Sequence, residues 1–194
     1  MELAGDPIAA FLQLYERVKE SDPKNYNEVC LATVGDDGRP SARMVLLKSA
    51  GPEGFVIYTN LRSRKGREAL AHPVAALCCY WRIIYQQVRI EGRVEQVSDA
   101  EADAYFASRP RGSQIGAWAS PQSEILDTRA TLLARVEEYE REFAGRDVPR
   151  PPHWSGLRIV PDRIEFWAGQ ADRLHERTAF TLSPAGWRSE LLNP

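Results

Sequence analysis

The chain has 194 residues, of which 43% are hydrophobic and 27% charged, and a formal net charge of −2. That is the balance of one ordinary globular domain with enough length for a sizeable core. It excludes a global electrostatic pull toward nucleic acid or an anionic membrane, and no apolar run approaches the length that spans a bilayer.

The N-terminus, MELAGDPIAAF, lacks the basic and apolar regions of a secretory signal. Asp6-Pro7 predicts a helix start, with Ile8, Phe11, Leu12, Tyr15 and Val18 at helical spacing and Ser21-Asp22-Pro23 as its end. This gives an N-terminal helical segment within residues 1–25. Residues 28–34 read as a strand, and Gly35-Asp36-Asp37-Gly38-Arg39-Pro40 as a hairpin loop. Residues 43–48 (RMVLLK) and 55–59 are apolar strands around a turn at Gly51-Pro52-Glu53-Gly54. A helix then opens in Asn60-Leu61-Arg62-Ser63-Arg64-Lys65-Gly66-Arg67, capped by Asn60 or Ser63, and His72-Pro73 closes it.

Residues 74–81 are nearly all apolar and predict a buried strand; residues 85–97 alternate with period two and predict a half-exposed one. Ser98-Asp99-Ala100-Glu101 is a capping box for a helix that Pro110 stops. Residues 108–123 (SRPRGSQIGAWASPQS) read as a polar loop. Residues 126–143 read as an amphipathic helix with Leu132, Leu133, Val136, Tyr139 and Phe143 on one side. Residues 98–145 thus form a helical insertion, followed by a stiff linker at 148–152 and strands at 157–160, 163–167, 173–182 and 187–192. Hairpin-connected strands with inserted helices predict a mainly β, α+β domain over 1–194, an antiparallel barrel with peripheral helices. No GxGxxG or GxxxxGK[ST] occurs, which disfavours the usual nucleotide folds. The three cysteines, Cys30, Cys78 and Cys79, lie in apolar runs without CxxC spacing, which argues against disulfides and zinc and fits a reducing cytoplasm.

Four groups of residues could carry chemistry. The first is the strand 43–48 with the basic helix start. Period two places Arg43, Val45 and Leu47 on one face and Met44, Leu46 and Lys48 on the other. Cations at a helix N-terminus oppose the macrodipole, and a bound anion reverses that sign. Alone, the run also reads as a solvated helix start. The second is Arg173-Leu174-His175-Glu176-Arg177: on a strand, Arg173, His175 and Arg177 share a face that must meet solvent or an anion, with Trp167 upstream. The third is Tyr105, Arg109 and Ser113, a guanidinium with two hydroxyls suited to a phosphate. The fourth is Gln86-Gln87 and Gln122-Ser123, whose amides suit a heteroaromatic edge or plain solvent. There is no Ser-His-Asp arrangement, paired-carboxylate motif or metal-ligand spacing. The inventory favours a phosphorylated cofactor and a phosphorylated substrate.

The segments RMVLLK, YTNLRSRKGRE (58–68), QVRIEG (87–92), YFASRPRGSQIGAW (105–118), QS (122–123), PRPPHWSG (149–156), IEFW (164–167) and RLHER (173–177) occur in one order along the chain. Together they resemble the pyridoxine/pyridoxamine 5'-phosphate oxidase family. The resemblance implies an FMN-binding split β-barrel, a homodimer with FMN at the subunit interface. It implies oxidation of pyridoxamine or pyridoxine 5'-phosphate to pyridoxal 5'-phosphate, with O2 reduced to hydrogen peroxide. By it, Arg43, Met44, Val45, Leu46, Leu47, Lys48, Tyr58, Thr59, Arg64, Lys65, Gln87, Gln122, Ser123, Trp167 and Arg177 bind FMN. Lys48, Tyr105, Arg109 and Ser113 hold the substrate phosphate, and Arg173 and His175 act on the substrate ring; no metal is implied.

Three features depart from the family pattern. Gln86 stands where the family usually has Arg. The tail is Leu191-Leu192-Asn193-Pro194 where an R-L-x-P ending is usual, and no R-x-Y arm precedes Asp6. Gln86-Gln87 is similar to the phenazine-biosynthesis oxidases, a related flavin branch that generally does not keep SRPRGSQIGAW. Two other readings follow: a flavin oxidase of another aromatic compound, or a non-catalytic binder of FMN or pyridoxal 5'-phosphate.

Overall fold

The computed structural model describes residues 5–194; the first four residues of the expected 1–25 helical segment lie outside them. Asp6 accepts the Ile8 N–H at 2.9 Å, and Pro7 presets the first turn, so α1 spans Pro7–Ser21. There follow β1 (Glu28–Val34), β2 (Pro40–Leu46), β3 (Ser49–Gly51), β4 (Gly54–Asn60), α2 (Arg64–Ala71), β5 (Val74–Trp81), β6 (Gln86–Gln96), α3 (Asp99–Ser108), α4 (Arg111–Ala119), α5 (Arg129–Glu142), β7 (Trp154–Ala168), β8 (Glu176–Ser183) and β9 (Gly186–Leu192).

These strands form one sheet ordered β2-β1-β5-β6-β7-β4-β3, with β8 on β7 and β9 on β8. Every pairing is antiparallel. The two ends of that order are consecutive in the chain. Between them the Leu47 N–H donates to Asn27 O at 2.8 Å, and the Lys48 N–H donates to Val56 O at 2.9 Å. One extended segment therefore leaves β1 and joins β4, curling the sheet into the expected split barrel.

Strands expected at 157–160 and 163–167 are a single β7. One edge pairs with β6; the other pairs with β4 up to Ile159 and with β8 from Arg163. Pro161 sits at the changeover, where its missing N–H leaves no gap in either ladder. It faces Gly92 across a register shift, and a Cβ at Gly92 would stand 2.1 Å from Val160 O, so the bulge requires glycine.

The barrel core holds Leu31, Leu47, Phe55, Ile57, Leu77, Ile90, Ile159 and Phe166, and α1 closes it with Phe11, Leu14 and Val18. Phe11 is fully buried, edge-on to Phe55 at 4.9 Å between centroids. A second cluster, Phe106, Ile115, Phe143, Val148 and Trp154, joins the helical region to β7. No helix among the described residues is long and apolar enough to cross a membrane.

Four local expectations need correction. The polar stretch 108–123 contains α4: Pro110 precedes it, and the Gln114 amide donates to Phe106 O at 2.9 Å, tying α4 to the end of α3. The long helix starts later than 126, because Thr128 caps it by accepting the Thr131 N–H. Strand β5 is buried on one face only; Val74 and Tyr80 are exposed. The strand expected at 173–182 begins at Glu176, since Asp172 and Arg173 have φ of 53° and 61°, left-handed values that an extended strand does not contain. Phe11→Ala should cost about 3–5 kcal/mol of folding stability, read by urea denaturation; an unchanged midpoint would show that α1 does not seal the core.

Candidate active site

The basic helix start is organised by Ser63, which caps α2 by accepting the Gly66 N–H at 3.3 Å. Asn60 instead accepts the Arg62 N–H at 2.8 Å within the preceding turn. That turn is tight: a Cβ at Gly66 would lie 2.4 Å from Leu61 O. Lys65 reaches Ser63 Oγ at 3.3 Å and Gln122 Oε1 at 3.0 Å, and Thr59 Oγ1 lies 3.4 Å from the same amide oxygen. Burial and then the nearby Arg43 push the Lys65 pKa down.

Behind these groups lies Glu68, 8% exposed. Its Oε2 accepts Thr33 Oγ1 at 2.6 Å, Ser41 Oγ at 2.5 Å and Arg43 Nη2 at 3.3 Å, while its Oε1 accepts Arg64 Nε at 2.7 Å. Arg43 also donates to Leu31 O and Thr33 Oγ1. Burial opposes the charged form of Glu68, but the Ser41 and Thr33 hydroxyls and Arg64 overcome it and hold the carboxyl down at about 2.

In front of Lys65 opens a cavity of about 670 Å³. Met44, Val45, Leu46 and Lys48 line one side, Tyr58 and Thr59 the floor, Tyr105, Arg109 and Ser113 the far wall, and Gln122 the rim beside Lys65. Tyr58 stacks on Tyr105 at 3.9 Å, and Trp154 lies within 3° of parallel to Tyr105. Arg109 lies over Trp154 at 4.7 Å and Phe106 at 5.5 Å. Its Nη1 is buried without a hydrogen-bond partner, and burial lowers its pKa. Burial, then Glu101, pushes the Tyr58 hydroxyl up to about 12, so it stays protonated. The cavity is therefore lined by three cations, Lys48, Lys65 and Arg109, with the apolar Met44, Val45 and Leu46 and the aromatic Tyr58, Tyr105 and Trp154.

The remaining expected residues lie elsewhere. Leu47 is in the barrel core, Arg43 and Arg64 stand behind the cavity on Glu68, and Ser123 follows Gln122 with φ 73°. Gln87, Trp167 and Arg177 form a cross-strand row on β6, β7 and β8. Arg177 donates to Glu165 Oε1 at 2.9 and 2.8 Å and to Asn193 O at 3.0 Å. His175 packs on Trp167 at 4.6 Å, and its Nδ1 accepts the Gln170 N–H at 3.1 Å. Arg173, His175 and Arg177 do not share a strand face as expected, because only Arg177 is on β8. Gly156, opposite Tyr58, and Trp167 are separated by roughly 36 Å of extended β7. One chain thus keeps these two groups of residues apart. Among the described residues no group of His, Cys, Asp or Glu is placed to hold a metal ion.

The residues that sequence reasoning passed over are Glu68 and Trp154, and Asn60, read there only as a cap, lines the cavity. Glu68 follows Arg64 at i,i+4, a readable signal for pairing on α2. Trp154 lay in the quoted PRPPHWSG segment, but its role under Arg109 depends on β7 meeting α3 in space.

Because the folded-state pKa of Glu68 is depressed, its contribution is complete above about 4.5 and is lost as pH falls toward about 2. Glu68→Gln should remove on the order of 3 kcal/mol near neutrality and flatten the acid slope of stability in that window. Urea denaturation of both proteins at stepped pH reads this; parallel pH profiles would refute it.

A family model described as pyridoxamine 5'-phosphate oxidase matches residues 22–142, and one described as the pyridoxine 5'-phosphate oxidase C-terminal dimerisation region matches residues 154–194. A pyridoxine/pyridoxamine 5'-phosphate oxidase of Myxococcus xanthus (strain DK1622) is 61% identical over 97% of this chain and 92% of its own length. One from Burkholderia lata is 52% identical over 100% of this chain and 91% of its own. Among solved structures, PhzG from Burkholderia lata 383, in complex with tetrahydrophenazine-1-carboxylic acid, superposes with a TM-score of 0.91 at 31% identity, over 98% of this chain and 94% of that one. With both family models and relatives of this identity spanning nearly its whole length, the chain belongs to the pyridoxine/pyridoxamine 5'-phosphate oxidase family.

Proposed function

We propose that this protein is an FMN-dependent oxidase that converts pyridoxamine 5'-phosphate and pyridoxine 5'-phosphate to pyridoxal 5'-phosphate, with O2 reduced to hydrogen peroxide. The observation that carries this reading is the Arg109 guanidinium. It is held on Trp154 with a buried nitrogen that no group among the described residues satisfies, in the same cavity as Lys48 and Lys65. A buried unpaired donor on a cation is costly unless a ligand oxyanion completes it. Three cations around one cavity can serve two phosphoester tails, one on each of two flat heterocycles.

The chain's residues take the following roles in this reading. Arg43, Arg64, Lys65, Thr59, Gln122 and Ser123 hold the FMN phosphate and tail, while Met44 to Lys48 and Tyr58 pass along the ring system. Tyr105, Arg109, Ser113 and Lys48 hold the substrate phosphate. When bound, FMN supplies the hydride acceptor and passes the electrons on to dioxygen.

Gln87, Trp167, Arg177, Arg173 and His175 complete the site from a second copy of the chain, since one copy keeps them at the far end of β7. The exposed apolar side chains Met44, Leu46, Tyr80 and Ile83 support a homodimer, as does the match of residues 154–194 to a dimerisation region. His175 already accepts a backbone N–H at Nδ1, so its neutral ring carries the proton on Nε2 and can donate it to a substrate oxygen or ring atom. Arg173 places a fixed positive charge beside that ring. Free thiols at Cys30, Cys78 and Cys79 fit a cytoplasmic setting.

The fold match to the phenazine enzyme supports a second reading, oxidation of a ring acid without a phosphate. The relative named for the B6 phosphates in Burkholderia lata is the more similar, at 52% against 31%. Phosphate dependence separates the two.

The purified protein should show flavin absorption that bleaches when pyridoxamine 5'-phosphate is added without oxygen, with peroxide released on aeration. A flavin-loaded protein that never bleaches would refute the reading. Arg109→Ala should raise KM for the phosphorylated substrate at least about tenfold while flavin stays bound. An unchanged KM would favour the unphosphorylated ring acid.

A further inference from the structure

We infer that Glu68 is a positioning residue that sets the preference of this site for a phosphorylated flavin over its unphosphorylated counterpart. The inference rests on the FMN reading above and goes beyond it, because Glu68 touches no part of the cavity. It acts through Arg43 and Arg64.

Three elements converge on this one carboxylate. Thr33 on β1 and Ser41 on β2 are direct cross-strand partners, so their hydroxyls stand side by side and both donate to Oε2. They pin the carboxylate to the sheet while α2 carries it. The remaining capacity goes to guanidiniums: Arg43 on Oε2 and Arg64 on Oε1. Arg43 is fixed further by Leu31 O and Thr33 Oγ1. Arg64 is held through Nε alone and is 59% exposed, so it is anchored by one edge and open to a ligand on the other.

The charge count agrees with this role. Arg43 on β2 and Arg64 and Lys65 at the start of α2 are three cations, and among the described residues Glu68 is the carboxylate that ion-pairs with Arg43 and Arg64. Arg62 and Arg67 add positive charge to the same run, and Asp37 offsets part of it at Arg64, so the cluster stays net positive. A phosphate monoester near neutrality carries about −1.5 to −2. Without Glu68, the cations would repel one another and Arg64 would lose the carboxylate that holds its Nε. The cost of burying the carboxylate is met by four donors, an arrangement that simple charge balancing at a surface does not require.

Positioning and bulk charge predict opposite results. If Glu68 only diluted positive charge, Glu68→Gln would strengthen FMN binding. If it aims the guanidiniums, the same change weakens FMN binding and leaves riboflavin binding alone. Apoprotein is titrated with FMN and with riboflavin, following flavin fluorescence. Glu68→Gln should lower the FMN-to-riboflavin affinity ratio by about tenfold, the loss of roughly one charge-assisted hydrogen bond, with riboflavin affinity within about twofold of wild type. Glu68→Asp, which keeps the charge but shortens the reach to the two guanidiniums, should lower the ratio in the same direction by a smaller factor, and it carries the test if Glu68→Gln does not fold. A ratio that is unchanged or raised in the folded variant overturns the inference. Wild-type protein that binds neither flavin overturns the FMN reading and this inference with it, whereas wild-type binding with an unaffected ratio overturns this inference alone.

Discussion

The architecture depends on β7 and on the single residue at which its outer edge changes partner. A strand of 15 residues runs the length of the sheet against β6, but its other edge serves β4 first and β8 second. Proline at the changeover costs no ladder hydrogen bond, and the glycine bulge opposite lets the two halves bend apart. The first half reaches the cavity through Trp154. The second half carries Trp167 and, through β8, Arg177. The proposed site residues are thereby kept apart in one chain, and in the proposed dimer a neighbour supplies the second group.

Each of the two groups rests arginines on a buried carboxylate. Glu68 does so beside the cavity, and Glu165, 3% exposed, does so for Arg177 with Arg89 and Arg163 also within ion-pair distance. Guanidiniums held in this way lose little further freedom when they meet an anion, which is the advantage of a planar, preorganised fork. Arg109 is different. Its support is aromatic, and among the described residues no acid pairs with it at the cavity wall.

Most strands were legible because their signal is local. The apolar run at 74–81 marked β5, period-two alternation marked β6 and the residues before the glycine turn marked β1, each to within a residue or two, and the capping box marked α3. The failures share a cause. Gly112, Gly116 and the prolines made 108–123 look like loop, yet α4 forms because Gln114 and Ile115 gain burial against the end of α3. Arg173 and His175 looked like strand because alternation alone cannot reveal two successive left-handed residues. In the site, Tyr105, Arg109 and Ser113 converge as their spacing implied. The support beneath them did not show, because Trp154 reaches Arg109 only through tertiary packing. Glu68 had no role legible in the sequence, because its hydroxyl donors come from two strands far along the chain.

The unsatisfied guanidinium nitrogen of Arg109 has a practical consequence for handling the protein. A cation whose counter-ion must come from outside accepts any small oxyanion of suitable geometry. On the proposed role of Arg109, sulfate or inorganic phosphate in a buffer would occupy the place of the substrate's tail, raising the melting temperature by linkage while competing with turnover. Preparations in such salts would look sturdier and slower than the same protein in chloride, through one contact.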